Sequence, residues 1–352
     1  MHKRFAGTAL ALATMFALGA GSGTAVRAAA PDQVTIGTVY SSSDAPYLIA
    51  DKKGFFRDAG ITVTFQRFDS GALIIAPLGA GQLDVGGGAP AAGIYNAVAQ
   101  GINVKLVADR GADSPGYGFN PIMVRTDLVT SGKFKTVADI KGLRVAEPAK
   151  GSTTASELAH YLKQAKLSYD DVQHVYLTFS DQVAAFKNGS IDASVGNEPF
   201  ATFLERNGLA KRVAGDDTFY PYQEISCVMY SGNFIKNRPD VAKRFMVAYL
   251  RGVRYHKDAL RDGHLSGPNA ADVIAILSDA TKIDADTLRA MTPGDIDADG
   301  KIHTASLTED YTMFKQLGLV TANVSLSDVV DMSFADAAAA AKQLGPYKPK
   351  RI

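Results

Sequence analysis

Gly81-Gln82-Leu83-Asp84-Val85-Gly86-Gly87-Gly88-Ala89-Pro90 is matched further along the chain by Gly189-Ser190-Ile191-Asp192-Ala193-Ser194-Val195-Gly196-Asn197-Glu198-Pro199. Each copy reads as a turn, a short buried strand and the opening of a helix. A serine lies upstream of each in a helix-starting position, Ser70 before the first and Ser180 before the second. Two similar halves set face to face enclose a cleft. The ends of these two strands are therefore expected to form part of a ligand site.

Working outward from the first copy, residues 34–39 alternate β-branched and small side chains and predict a buried strand. Ser41-Ser42-Ser43-Asp44-Ala45-Pro46 is a helix start, and the helix should run over 46–53 until Gly54 stops it. Ser42, Asp44 and Tyr47 thus collect at a strand's carboxyl end, where open α/β sheets bind ligands. Phe55 and Phe56 are expected to pack under that helix. A second strand over 61–65 leads to a helix opening at Ser70. The glycines of the first copy allow either a close approach of ligand to backbone at Gly88 and Ala89 or tight packing of helix on sheet. A strand over 104–108 ends at Asp109-Arg110, and the glycine-rich loop 111–120 brings Tyr117 and Phe119 as an aromatic wall.

The second half has its own order. Residues 121–125 predict a crossing strand and 143–146 another. Lys150-Gly151-Ser152-Thr153-Thr154 then opens a helix, and its exposed N–H groups suit an anion, although plain capping uses the same residues. The run lacks the order of a nucleotide-binding P-loop. After a strand over 172–177, Ser180-Asp181 caps a helix. Glu198, in the second copy, either complements a helix dipole or accepts a hydrogen bond from ligand. A short strand at 211–214, Tyr222 and a return strand over 225–230 follow. The remaining helices should pack back on the first half, so the chain crosses between halves twice.

Ala45-Pro46-Tyr47-Leu48-Ile49-Ala50, Gly54-Phe55-Phe56, Gly60-Ile61 and Val63 together resemble the opening signature of the nitrate, sulfonate, taurine and thiamine-precursor group of ABC-transporter substrate-binding proteins, the SsuA/THI5-like family. The likeness continues through 81–90, 139–144, 189–199 and 318–320. It implies an α/β, two-lobed periplasmic-binding-protein fold of type II, each lobe a mixed sheet flanked by helices, joined by two hinge strands. Residues 29–120 and 229–352 would form lobe 1 and 121–228 lobe 2. The implied role is the periplasmic, non-enzymatic, monomeric solute-binding component of an importer, with a small molecule, an inner-membrane ABC permease and its ATPase as partners and no cofactor. The expected ligand is a small organic anion, a sulfonate or carboxylate, with an aromatic one suggested by the tyrosines. A thiamine-precursor pyrimidine, or a non-transport enzyme on the same fold, is the alternative; the cysteine-rich motif of pyrimidine synthases is missing. The residues expected in the cleft are Ser42, Asp44, Tyr47, Ser70, Gly88, Ala89, Arg110, Tyr117, Gly151, Ser152, Thr153, Asp181, Asn197, Glu198 and Tyr222.

Composition narrows the classes. His2-Lys3-Arg4, an apolar run and small residues up to Ala28 have the order of a cleaved secretory signal peptide over 1–28. Its removal takes three cations, Lys3, Arg4 and Arg27, and no acid, moving the formal charge from +1 to −2. That balance argues against nucleic acid, whose phosphates require clustered Lys and Arg. The single cysteine, Cys227, reads as a buried thiol. The histidines scatter without zinc spacing, and no Gly-x-Ser-x-Gly is present. Asp295-Ile296-Asp297-Ala298-Asp299-Gly300 copies the first half of a calcium loop, but Ser306 stands where the bidentate glutamate belongs. A structural turn is the preferred reading, with a weak calcium site on Asp295, Asp297 and Asp299 as its rival.

Overall fold

In the computed structural model, which describes residues 30–350, the two copies of the motif take the same place in two separate sheets. The first sheet contains β1 (Asp32–Thr38), β2 (Ile61–Arg67), β3 (Val85–Gly88), β4 (Val104–Ala112) and the returning β10 (Glu224–Ser231). The second contains β5 (Ile122–Arg125), β6 (Arg144–Glu147), β7 (Gln173–Tyr176), β8 (Ala193–Val195) and β9 (Ala210–Ala214). Their orders are β2-β1-β3-β10-β4 and β7-β6-β8-β5-β9. β3 lies parallel to β1 and antiparallel to β10; β8 lies parallel to β6 and antiparallel to β5. The fold is therefore α/β with two mixed five-stranded sheets flanked by helices.

The motif aspartate explains why the pattern repeats. Asp84 accepts a hydrogen bond from Thr35 N at 3.0 Å, and Asp192 accepts one from Arg144 N at 3.1 Å. The Asp84 and Asp192 backbone amides donate in turn to Thr35 O and Arg144 O. Each aspartate thus staples its strand to the parallel neighbour just before the ladder begins, satisfying backbone groups that would otherwise be unpaired. The three consecutive glycines of the first copy lie inside β3. A Cβ on Gly86 would come within 2.6 Å of Ile74 and 2.7 Å of Leu78, and one on Gly88 within 3.0 Å of the Gly71 backbone. Close packing therefore requires them.

Tyr47, Phe56, Phe245 and Tyr249 are all buried in the core of the first half. Phe56 stacks on Phe245 with ring centroids 4.8 Å apart, as expected for core aromatics. The helix Pro239–Lys257 supplies Val241, Phe245, Ala248, Tyr249 and Gly252 to this core. It crosses the helix Ala45–Lys52 so closely that a Cβ on Gly252 would meet Pro46 O at 2.3 Å. Cys227 is buried on β10. All of β10 pairs within the first sheet, so the boundary expected between 228 and 229 falls inside a strand. The chain passes between sheets through 113–121 and 215–223. These segments are tied by Gly116 N to Asp217 Oδ2 at 2.8 Å and Asn120 N to Asp216 Oδ2 at 2.7 Å. The expected signal peptide lies outside the described residues; among those described, no helix is long and apolar enough to cross a membrane.

Candidate functional site

A cavity of about 210 Å³ lies between the carboxyl ends of the two sheets. From the first half, its walls come from Val39, Ser41 and Ser43 after β1, 67–72 after β2, Gly88, Ala89 and Ala91 after β3, Arg110 on β4, and Ile225 and Ser226 on β10. From the second half come 148–154 after β6, Thr178, Phe179 and Ser180 after β7, and Asn197 and Phe200 after β8. Phe119 and Asn120 of the first crossing segment close the remaining side. Strand ends of two facing sheets are where ligands of such folds are held.

Arg110 is 1 % exposed and its Nη1 donates to Asp44 Oδ1. Asp44 Oδ2 accepts from Ser41 N at 3.0 Å. Burial pushes the Asp44 carboxyl above its ordinary range and the Arg110 guanidinium pulls it back. Removing the acid would leave a buried cation alone, so Asp44 holds Arg110 at the cavity wall. Arg110 Nε, Ser226 Oγ and Asn197 Oδ1 are buried and have no protein partner, and all three residues line the cavity. Such groups cost free energy unless a partner reaches them. Asn197 Nδ2 donates to Asn120 Oδ1 at 3.0 Å, and Asn120 Nδ2 to Glu157 Oε1 at 3.0 Å, which fixes the direction of both amides.

The helix Thr153–Lys163 points its start into the cavity, with Ser152 at its N-cap. The Ser152 hydroxyl makes no cap bond to the helix backbone; it pairs with the Thr154 hydroxyl, which reaches Glu147 Oε2 at 3.4 Å. Across the cavity, Ala92 N donates to Gly151 O at 2.9 Å, joining the helix Ala92–Ala99 of the first half to this loop. That helix begins two residues beyond Pro90.

Of the fifteen expected residues, Ser70, Gly88, Ala89, Arg110, Gly151, Ser152, Thr153 and Asn197 line the cavity. The other seven do not. Ser42 is buried in the turn Ser42–Asp44 behind the wall, and Asp44 serves Arg110. Tyr47 faces the sheet, its ring packed on Phe245 and Tyr249 and its hydroxyl donating to Gly86 O at 3.3 Å. Tyr117 packs outside the cavity against the core cluster that contains Ala45 and Leu48. Asp181 stays in the first turn of its own helix, where its carboxylate accepts from the hydroxyl of the N-cap Thr178 at 2.7 Å. Glu198 is fully buried and ion-paired with Arg212, and it also accepts from Thr202 N at 3.1 Å and the Thr202 hydroxyl at 3.0 Å. Its carboxylate is 0 % exposed and outside the cavity lining. Tyr222 is 52 % exposed and stands apart from the cavity. The aromatic wall keeps the expected Phe119, without Tyr117, and adds Phe68, Phe179 and Phe200.

The calcium reading is corrected as well. Asp295 is taken up by Lys257 Nζ at 2.7 Å and the Ser114 hydroxyl at 3.0 Å, and Asp299 by Arg254 Nη2 at 2.6 Å. Asp297 accepts from the Asp299 and Lys301 amides, closing a turn through Gly300 at φ +74°. Cations of the chain itself thus hold two of the three carboxylates, and backbone amides the third.

Two mirrored mixed sheets with a ligand-sized cavity between their strand ends define a two-lobed periplasmic-binding-protein fold. The chain belongs to the NMT1/THI5-like family, whose family model matches residues 41–259. It is 28% identical over 310 residues to a Bacillus subtilis (strain 168) protein named for binding aliphatic sulfonates, covering 86% of each. It is 26% identical over 215 residues to the taurine-binding periplasmic protein of Escherichia coli (strain K12), covering 60% of this chain and 63% of that one. Among solved structures it shares its fold with the alkanesulfonate-binding protein SsuA of Xanthomonas axonopodis pv. citri bound to MOPS. The TM-score is 0.69 at 20% identity, over 86% of this chain and 99% of the other.

Proposed function

We propose that this chain is the periplasmic solute-binding component of an ABC importer and captures a small organic anion between its lobes. The observation that carries the reading is a cavity shared by both sheets whose lining holds three cations, Arg67, Arg110 and Lys150, against one carboxylate, Asp69. With Asp44 counted against Arg110, one positive charge remains in excess. The start of the helix Thr153–Lys163 adds backbone donors and a favourable dipole. The names of the sulfonate and taurine relatives agree with such a ligand.

Closure is supported by the two crossing segments, which are the connections along the chain between the sheets, and by contacts that span the cleft. Ala92 N meets Gly151 O across the cavity, and His160 Nε2 lies 2.9 Å from Glu309 Oε1, joining the second half to the helix Thr304–Gln316. Delivery to a permease and its ATPase follows from the class. Binding without catalysis is favoured by the relatives, which are named as binding proteins. His160 and His174 lie outside the cavity lining, and both ring nitrogens of each are taken up, by Ser156 O and Glu309 and by Glu147 and Tyr169 O.

Native mass spectrometry of the freshly purified chain tests the reading. One organic acid per chain, released on unfolding and rebound in calorimetry, is expected. A chain that carries no small molecule and binds no organic acid, or one that converts the released compound to a product, would overturn it.

A further inference from the structure

We propose that the ligand is an aryl acid, a single aromatic ring bearing one anionic group, recognised by a phenylalanine box drawn from both lobes. This deepens the anion-binding reading above and rests on it. Phe68 follows β2, Phe119 sits in the first crossing segment, and Phe179 and Phe200 are the first residues of the helices Phe179–Asn188 and Phe200–Arg206. First turns of helices are ordinarily polar. Here the cap Thr178 and the N-cap Pro199 are each followed at once by a large aromatic side chain at the cavity wall. The Phe179 and Phe200 rings lie nearly parallel, 19° apart in plane with centroids 6.3 Å apart. Phe68, Phe179 and Phe200 are only half-buried, so apolar surface remains at the cleft for an apolar body to cover.

Size narrows the class further. A dry cavity of about 150 Å³ accommodates benzene, so a cleft of about 210 Å³ has room for a single ring with a small headgroup. A two-carbon aminosulfonate would leave much of that space unfilled. Its ammonium would also require a carboxylate, and the lining offers only the exposed Asp69. Arg67, Arg110 and Lys150 in the lining give an anionic headgroup cationic partners. Ring edges on phenylalanine faces favour an aromatic body over a saturated one of the same shape.

Calorimetry on the full mature chain, stripped of endogenous ligand, with benzenesulfonate, benzoate, cyclohexanesulfonate and taurine tests this. Benzenesulfonate or benzoate is expected to bind at least tenfold more tightly than taurine and several-fold more tightly than cyclohexanesulfonate. The stronger of the two aryl acids identifies the headgroup. Taurine or cyclohexanesulfonate binding as tightly as either aryl acid would overturn the aromatic inference and leave the anion-binding function standing. Failure of all four, together with an empty native mass spectrum, would remove the function itself. The paired change Phe179→Leu with Phe200→Leu, at half-buried positions, should weaken benzenesulfonate about tenfold more than it weakens methanesulfonate. Equal losses for both probes, or none for benzenesulfonate, would overturn the box.

Discussion

β3 and β8 hold the same place in their sheets, each third in order between a parallel and an antiparallel neighbour, and each is stapled by its motif aspartate. Their carboxyl ends differ. At the first, Gly88 and Ala89 give the cavity bare backbone, pressed against Gly71 too closely for a side chain. At the second, Asn197 and Phe200 give it an amide and a ring, while Glu198 between them turns inward to Arg212. At these two strand ends, therefore, one lobe supplies backbone and the other side chains. Duplicated scaffolds leave such divergence to the few positions beyond the strand, where packing constrains residue type least.

The largest expected effect breaks this comparison at Glu198. Its carboxylate is 0 % exposed and Arg212 is mostly buried beside it. Glu198→Ala should destabilise the chain by about 3 kcal/mol, the lower end for removing one member of a buried pair. Ala89, the equivalent residue of the first copy, has no such bond to lose. Urea midpoints with unchanged slopes would measure it. Stability within about 0.5 kcal/mol of the parent, within the usual range for surface changes, would return Glu198 to the list of ligand contacts.

Much of the scaffold was legible because both sheets keep the period-two and glycine signals of buried strands. Of the eight expected residues that line the cavity, six lie beyond strand ends, where the general rule for such sheets puts ligands, while Gly88 and Arg110 lie within β3 and β4. Tyr47 was misplaced because a helix start marks only the beginning of a turn, not which face each residue shows. Position 47 turned out to face the sheet. Phe200 was missed although the repeat contained it: aligning Pro199 with Pro90 sets Phe200 opposite Ala91, which also lines the cavity. Glu198 was ambiguous because its partner, Arg212, lies on another strand, and nothing local to either residue reveals the pairing. Phe68 and Phe179 carried no local signal that separates a cleft aromatic from a core one.

A second effect tests what joins the halves. Asp113, leaving the first sheet, and Asp216, returning from the second, are both fully buried, with Glu157 and Asp217 adding further negative charge nearby. Burial pushes Asp216 up to about 6. Its contribution to stability is therefore complete below its ordinary value near 3.8 and is lost as pH rises through about 6. Asp310 follows the same course, whereas His256, held down to about 4 by burial, loses stability in the opposite direction as pH falls. Comparing Asp216→Asn with the parent tests Asp113 and Asp216 as a coupled pair: the parent's advantage should shrink as pH rises from 4 to 7. A pH-independent difference in melting would show that the crossing carries no excess proton.

The smallest effect sharpens the likeness itself. Asp192 is held by a fork from Arg144, Nε to Oδ2 and Nη2 to Oδ1 at 2.8 Å each, and by Arg125 Nη1 at 3.1 Å. Asp84 has only the longer contacts of Arg238 Nη1, at 3.3 and 3.4 Å. Both keep the backbone staple. Bidentate charge-assisted bonds are stronger and more directional than single stretched ones. Asp192→Ala should thus cost about 1 kcal/mol more than Asp84→Ala, after allowance for partial exposure on both sides. Raising the salt to 1 M should narrow that gap, because the arginine share is screened while the bond to the neighbouring strand's amide is not. Equal losses at low salt would mean that the staple alone is the stabilising part of the motif. The arginines would then merely neutralise an acid that the strand pairing requires in both lobes.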